Sequence, residues 1–549
     1  MRAHRRRLTL VCLALLWLVA EISARAADET SVGDKLRILY SHRFSFDDRG
    51  IPVLTVAIAT GRDSVIIQSP PGQGAPVLLP GGIGGAEIRA GDSIRITVED
   101  GVPGRVGERL VVAHLGPKNQ TAVADALATW RRRGFSPRAE TVGAVFGISG
   151  QVIDTRETLV TLEPLSDVAA LSRRYGIKVG VHRTLVRRPR GTIVAQSGAT
   201  VVRNPSVLWL RPASDKGTLT VAGIDIGSGG ATEARKSASR RYHGSLYVTV
   251  GTDGKLAVVN AVASDQLLDG LVPAEMYPSA DPAALAAQAI AARTNLLAKL
   301  GHRHTADPFL LCASQHCQVY AGAGRETAST NRAVSATRGQ VLVGPGGALI
   351  DARYCAACGG HTESNAEVWP EPPDPVLQGR FDAPGGTFAP VAPDSVARFL
   401  ATGGDDAYCA RSPLAPGRFR WTAKVKAAAI AKRLLARGID VGHIISLEAR
   451  RRGVSGRITD LAIHGDGGDT RIRGELSIRR TLGGLKSSLF VARPIREGGR
   501  VIGFSLRGGG FGHGVGMCQL GAMAMARAGL NTAKILANYY HRATVTRLY

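Results

Sequence analysis

The sequence is poor in three things, and each shortage excludes a class of protein. Aromatic residues make up only 5% of the 549 residues, which argues against a sugar platform built mainly from stacked rings. Seven cysteines are too few to brace a chain of this length as a disulfide scaffold. Acidic residues number 44 against 69 Lys and Arg. That formal charge of +25 would ordinarily point to nucleic acid, a partner that export, argued next, removes. No Gly-Lys-Ser or Gly-Lys-Thr occurs, so P-loop nucleotide binding is not supported. What is present is ordinary for a globular protein: 44% hydrophobic and 21% charged residues exclude global disorder, and the length predicts roughly two to four domains.

The N-terminus carries Arg2, His4, Arg5, Arg6 and Arg7, then an apolar stretch from Leu8 to Ala20, then Ala24-Arg25-Ala26. Charged, apolar and small residues in that order form a secretory signal, with cleavage predicted before Ala27. The apolar run falls short of the ~20 residues that cross a membrane, and no later stretch approaches that length. Val11 stands before Cys12 where a lipoprotein requires a small residue. The expectation is an exported protein of the periplasm, cell envelope or extracellular space, without a transmembrane span after cleavage. There the plentiful polyanions are peptidoglycan carboxylates and acidic wall polymers, near which a basic surface is held; a diffuse Arg-rich surface is the plainer alternative.

Residues 27–115 read as a β-rich region, with runs Val53 to Ile58, Ser64 to Gln68, Ser93 to Val98 and Leu110 to Ala113. Residues 116–213 read as an α/β module in which helical patches Thr121 to Arg132 and Ser166 to Arg174 each precede a glycine turn and a strand. Residues 214–241, rich in Gly, Ser, Ala and charge, read as a linker. From 242 to 549 the pattern is α+β, mixed helices and antiparallel strands, with Pro370, Pro372, Pro373 and Pro375 opening an insertion around 370–418.

Three constellations in this half carry chemistry. Ser264 to Leu268 starts a helix predicted to end near Gly270, and Asp281-Pro282 starts another with Leu285, Ala289, Ala292, Leu296 and Leu300 at helical spacing. Between them Val272-Pro273-Ala274-Glu275-Met276 embeds one carboxylate among apolar neighbours. Desolvation penalises the charged form, so Glu275 is a candidate general acid; a solvated loop or helix-capping Glu is the alternative. No second carboxylate stands out, because Asp265, Asp269 and Asp281 fit helix ends. The second constellation is Cys312, His316 and Cys317 followed by Cys355, Cys358 and His361, a thiolate and imidazole supply suited to tetrahedral Zn2+ or, alternatively, to disulfides. The third is a run of alternating glycines around His513, ending Met517-Cys518-Gln519-Leu520-Gly521-Ala522, which suits a loop lining a cleft.

In this order, the three constellations resemble the SpoIID/LytB family of lytic transglycosylases. Val272-Pro273-Ala274-Glu275-Met276 with Gln288-Ala289-Ile290-Ala291-Ala292-Arg293 is similar to the family's V-P-x-E-M and Q-A-V-A-A-R. Gly510 to Ala522 is similar to its G-x-G-H-G-V-G-M-x-Q-x-G-A. The resemblance implies that Glu275 is a single acid and base, that Gln288 and Arg293 orient the site, and that His513 and Gln519 face the sugar. It also implies structural zinc on His316, Cys317, Cys358 and His361, with Cys312 and Cys355 as substitutes, and allows Cys518 to pair with Cys409. The chain departs from the family in lacking a Trp before the helix proline and in carrying Ala283 where Glu is usual. The implied reaction is cleavage of the bond between N-acetylmuramic acid and N-acetylglucosamine in peptidoglycan strands, closing a 1,6-anhydro ring. The alternative is a non-catalytic wall-binding enhancer of an amidase. The repeated helix–turn–strand unit resembles the glycan-binding sporulation-related repeat, as any ferredoxin-like module would.

Overall fold

The computed structural model describes residues 39–549 apart from 41–44, 71, 73–76, 81–85, 88–91, 117–118, 178, 206, 226–236, 315 and 370. The signal segment, Pro370 and the middle of the predicted linker therefore lie outside the described residues. Within them, Ser64–Gln68 alternates exposed and buried positions, as a strand covered on one face does. Leu256–Ala263 is buried at every position because both its faces are covered. It pairs antiparallel with Pro52–Arg62 on one side and Ser245–Val250 on the other, and Val207–Arg211 continues the sheet. A second sheet runs in the order Thr200–Asn204, Arg190–Ser197, Ser93–Val102, Ser64–Gln68, Thr218–Asp225, Ser237–His243. One core joins Ile67, Ile94 and Ile193 of the second sheet to Val56, Leu246 and Val258 of the first, and to Leu271 and Leu296 of two helices. Residues on either side of the predicted 214–241 linker thus share one core, and its described parts include the paired strands Thr218–Asp225 and Ser237–His243, of which only the second lies at the sheet edge.

The chain between Ser93–Val102 and Arg190–Ser197, which pair with each other, forms a β-α-β-β-α-β module. Its strands lie antiparallel in the order Gly180–Arg187, Arg105–Leu115, Glu157–Leu162, Arg138–Val142, a ferredoxin-like arrangement. Helices Gln120–Arg132 and Val168–Tyr175 bury Trp130 and Leu171 against Val160 and Leu162. The module covers 105–187, starting one strand before the predicted 116–213.

Two helices follow the central strand directly. Ser264–Glu275 continues through Gly270, where the sequence predicts a stop. Gly270 serves close approach instead: a Cβ there would lie 2.7 Å from the Gly322 carbonyl oxygen and 2.9 Å from the Tyr320 ring. Pro282–Ala298 begins with its proline at the first turn and is buried over most of its length. Further along, Tyr354–Cys355 pairs in parallel with Met517–Cys518, bringing the second constellation beside the third. The architecture is α+β, and no described helix is long and apolar enough to cross a membrane.

Candidate active site

Glu275 is the last residue of its helix; Met276 turns to extended backbone with φ −129° and ψ 146°. The side chain is only partly exposed. Burial pushes its carboxyl up to about 7, against the opposing pull of the Val319 N–H and the Lys299 ammonium. The other end of this helix is fixed by Arg293. Its Nη1 donates to the carbonyls of Thr337 (2.8 Å) and Gln340 (3.2 Å), and its Nη2 donates to Val334 O (3.3 Å) and Asp265 Oδ1 (3.2 Å). Arg293 is fully buried and so presents no donor to a sugar.

Gln519 opens the helix Gln519–Arg527. Its Nε2 donates to the Glu275 carbonyl oxygen at 2.9 Å and to Gln288 Oε1 at 3.2 Å. Residues 231 and 244 positions distant in sequence are thereby held together. His513 lies in the preceding glycine loop, where its Nδ1 accepts the Val515 N–H at 3.0 Å. Burial, reinforced by Arg353, Arg457, Arg479 and Lys299, holds the ring neutral, its pKa pushed down to about 3. A neutral ring that accepts at Nδ1 carries its proton on Nε2 as a donor. The Lys299 ammonium acts electrostatically on both Glu275 and His513. The loop needs glycine at 514: φ is +86°, and a Cβ would lie 2.4 Å from the Arg457 guanidinium carbon.

Trp369, which the motifs did not single out, packs edge-on against His513 with centroids 4.9 Å apart. The Arg353 guanidinium lies 3.7 Å from the Trp369 ring centroid, a cation–π contact. Arg353 Nε donates to Asp351 Oδ2 at 2.7 Å, and its Nη2 donates to both Glu371 oxygens at 2.7 Å. Burial would raise the Asp351 carboxyl, but Arg353 and Lys299 outweigh it and hold it at about 2. Asn295 bridges Asp351, Lys299 and Gln318, and Tyr354 donates to Gln318. Lys299, buried among these groups, falls to about 8.

Among the described residues, two groups of side chains could hold a metal ion, the donor atoms within each lying within 4.8 Å of one another. The first is His304, Cys312, His316 and Cys317. Cys317 Sγ is 3.3 Å from His304 Nε2 and 3.7 Å from His316 Nδ1, which is itself 3.7 Å from Cys312 Sγ. The second is Cys358, Asp382, Cys409 and Cys518. The implied quartet of His316, Cys317, Cys358 and His361 is thus not assembled: His316 and Cys317 join the first group and Cys358 the second. His361 joins neither, because its Nδ1 sits 2.6 Å from Thr362 O and its Nε2 2.9 Å from Ala389 O. Cys355 lies outside both groups, and the six described cysteines are all free, Cys409 and Cys518 included.

Comparison with known proteins reaches the same region. The family model described as Stage II sporulation protein (SpoIID) matches residues 252–343, from just before the Leu256–Ala263 strand through both helices. A domain of unknown function (DUF8618) matches residues 363–516, which include Asp382, Cys409 and His513. An uncharacterized protein of Brachyspira hyodysenteriae is 29% identical over 302 residues, covering 55% of this chain and 71% of its own. The amidase enhancer of Bacillus subtilis is 29% identical over 294 residues, covering 51% of this chain but only 40% of its own. The Stage II sporulation protein match takes in the strand and paired helices that carry Glu275 and Gln288, and in sequence the chain is similar to that family and to the Bacillus subtilis amidase enhancer.

Proposed function

We propose that the protein is an exported peptidoglycan lytic transglycosylase with Glu275 as its single acid and base. The protonated carboxyl delivers its proton to the oxygen linking N-acetylmuramic acid to N-acetylglucosamine, and that bond breaks. The carboxylate then takes the proton of the muramic C6 hydroxyl as its oxygen attacks C1, closing the 1,6-anhydro ring and restoring the acid. No water is consumed. The observation that carries this reading is a carboxyl raised to about 7, poised near neutral pH to give and regain a proton.

The surroundings suit a lone acid. Asp351, which also feels Lys299, is engaged by Arg353 and Asn295 and held ionised, so it is not free to activate water as a hydrolase's second carboxylate would be. Gln288 and Gln519 fix the backbone that ends in Glu275, and the neutral His513 offers an Nε2–H donor to a sugar oxygen, with Trp369 as an apolar wall beside it.

His304, Cys312, His316 and Cys317 fit zinc, with two imidazole and two thiolate donors in a closed set. The Asp307 carboxylate, 2.9 Å from His304 Nδ1, fixes that ring as carboxylates do behind metal-bound histidines. Such an ion would be structural. It would brace the segment whose Cys317 carbonyl accepts from Lys299 at 2.9 Å and whose Val319 N–H faces Glu275.

The test is to incubate the full-length protein with glycan strands and measure 1,6-anhydromuramyl ends by mass spectrometry. Wild type is expected to make them and Glu275→Gln to lose them; equal amounts from both would overturn the mechanism. The name of the Bacillus subtilis relative favours a second reading, a wall-binding enhancer that accelerates an amidase. It predicts wall binding and faster amidase digestion without new chain ends.

A further inference from the structure

Cys358, Asp382, Cys409 and Cys518 are all buried and take no part in the proton transfers above. They come from three separate stretches: the end of the Tyr354–Cys355 segment, the proline-opened insertion that supplies Asp382 and Cys409, and the turn into the Gln519 helix. Cys358 Sγ lies 3.5 Å from Cys409 Sγ and 3.1 Å from Asp382 Oδ2. A zinc ion with bonds of ~2.3 Å to sulfur sets tetrahedral neighbours ~3.8 Å apart, close to this spacing, whereas a disulfide needs ~2.05 Å.

The surrounding donors are arranged for ionised ligands. The N–H groups of Cys358 (3.2 Å) and Gly521 (3.4 Å) both donate to Cys518 Sγ. Tyr539 donates to Asp382 Oδ1 at 2.7 Å, which orients the carboxylate with Oδ2 toward the sulfurs, as a group behind a metal ligand does. A buried carboxylate among thiolates is costly without a compensating cation. The Arg420 guanidinium acts electrostatically on Cys409 and Cys358, but its Nη donors go to the carbonyls of Gly359, Phe419, Phe399 and Gly403.

We propose that Cys358, Cys409, Cys518 and Asp382 bind a second zinc ion in a closed Cys3Asp centre, separate from the His304 group. Because Cys518 directly precedes Gln519, this ion clamps the turn whose amide holds Glu275 and Gln288. Binding displaces the thiol protons to solvent, and no oxidant or reductant is involved.

The experiment uses full-length protein purified without added zinc or reductant, with metal measured by mass spectrometry. The Cys312→Ser/Cys317→Ser variant removes the first group and is expected to keep about one equivalent of zinc, which adding Cys409→Ser or Asp382→Asn abolishes. This outcome does not depend on whether the first group is loaded or on whether the protein cleaves glycan. A folded double variant holding no zinc, with a Cys358–Cys409 disulfide in its peptide map, would overturn the proposal, as would zinc unchanged by the added substitutions. Should the variants fail to fold, zinc-edge X-ray absorption of the wild type decides. An average of about 2.5 or more sulfur ligands per zinc supports the Cys3Asp centre, and about 2 excludes it.

Discussion

Glu275 and Asp351 are desolvated carboxyl groups that both feel the Lys299 ammonium, yet the protein holds them in opposite states. Burial raises both. Asp351 has the Arg353 guanidinium in contact and Lys299 beyond it and settles at about 2, whereas Glu275 has only Lys299 and one backbone N–H and settles at about 7. The placing of cations, more than depth, selects which carboxyl can carry a proton. The stability consequences have opposite signs. Asp351, lowered from 3.8, contributes about 2 kcal/mol that is fully present above pH 3.8 and lost as pH falls toward 2. Glu275, raised from 4.5, costs nothing below pH 4.5 and about 3 kcal/mol once pH has risen through 7.

Exchanging the states of these two groups would break the comparison. Glu275→Gln is expected to cut the rate of anhydro-product formation by ~10²–10⁴-fold, while unfolding in urea at pH 8 shows it no less stable than wild type. Asp351→Asn is expected to act on folding, costing about 2 kcal/mol in the same unfolding assay at pH 7, because Arg353 and Lys299 lose one carboxylate while Glu371 still holds Arg353. An Asp351→Asn variant of full stability would show that the pair contributes little. The rate should fall as pH rises through about 7, where Glu275 loses its proton. Lys299→Met should move that limb to higher pH, because the ammonium favours the ionised form; movement to lower pH would mean that another group sets the limb. The smallest effect is expected from His513→Ala, about tenfold in kcat/KM, the worth of one hydrogen bond of ~1.4 kcal/mol.

The meeting of Glu275, Gln288 and Gln519 was legible in the sequence because each sits in a contiguous motif. Arg293 shares a motif with Gln288, yet five residues turn a helix by about 140°, and the two side chains point to different partners. Gly270 read as a helix stop because a glycine that relieves crowding and one that ends a helix are the same letter. The first metal group was half legible: Cys312, His316 and Cys317 lie within one short stretch, but His304 stands in a loop before them, with a φ of +56° that only the folded chain displays. A non-glycine residue in that region is uncommon and marks a position fixed by its surroundings. The second group was read only in pieces, Cys358 as a ligand elsewhere and Cys518 as a partner of Cys409, with no signal for Asp382, since the four approach only when distant stretches fold together. Trp369 gave no signal because its neighbours, Arg353 and His513, are distant in sequence.

Digestion of glycan strands in water enriched in oxygen-18 tests the lone acid most directly. The account predicts 1,6-anhydromuramyl ends that carry no heavy oxygen, because the sugar's own hydroxyl closes the ring. Reducing muramic ends labelled with oxygen-18 would show instead that water is the nucleophile and that a second group activates it.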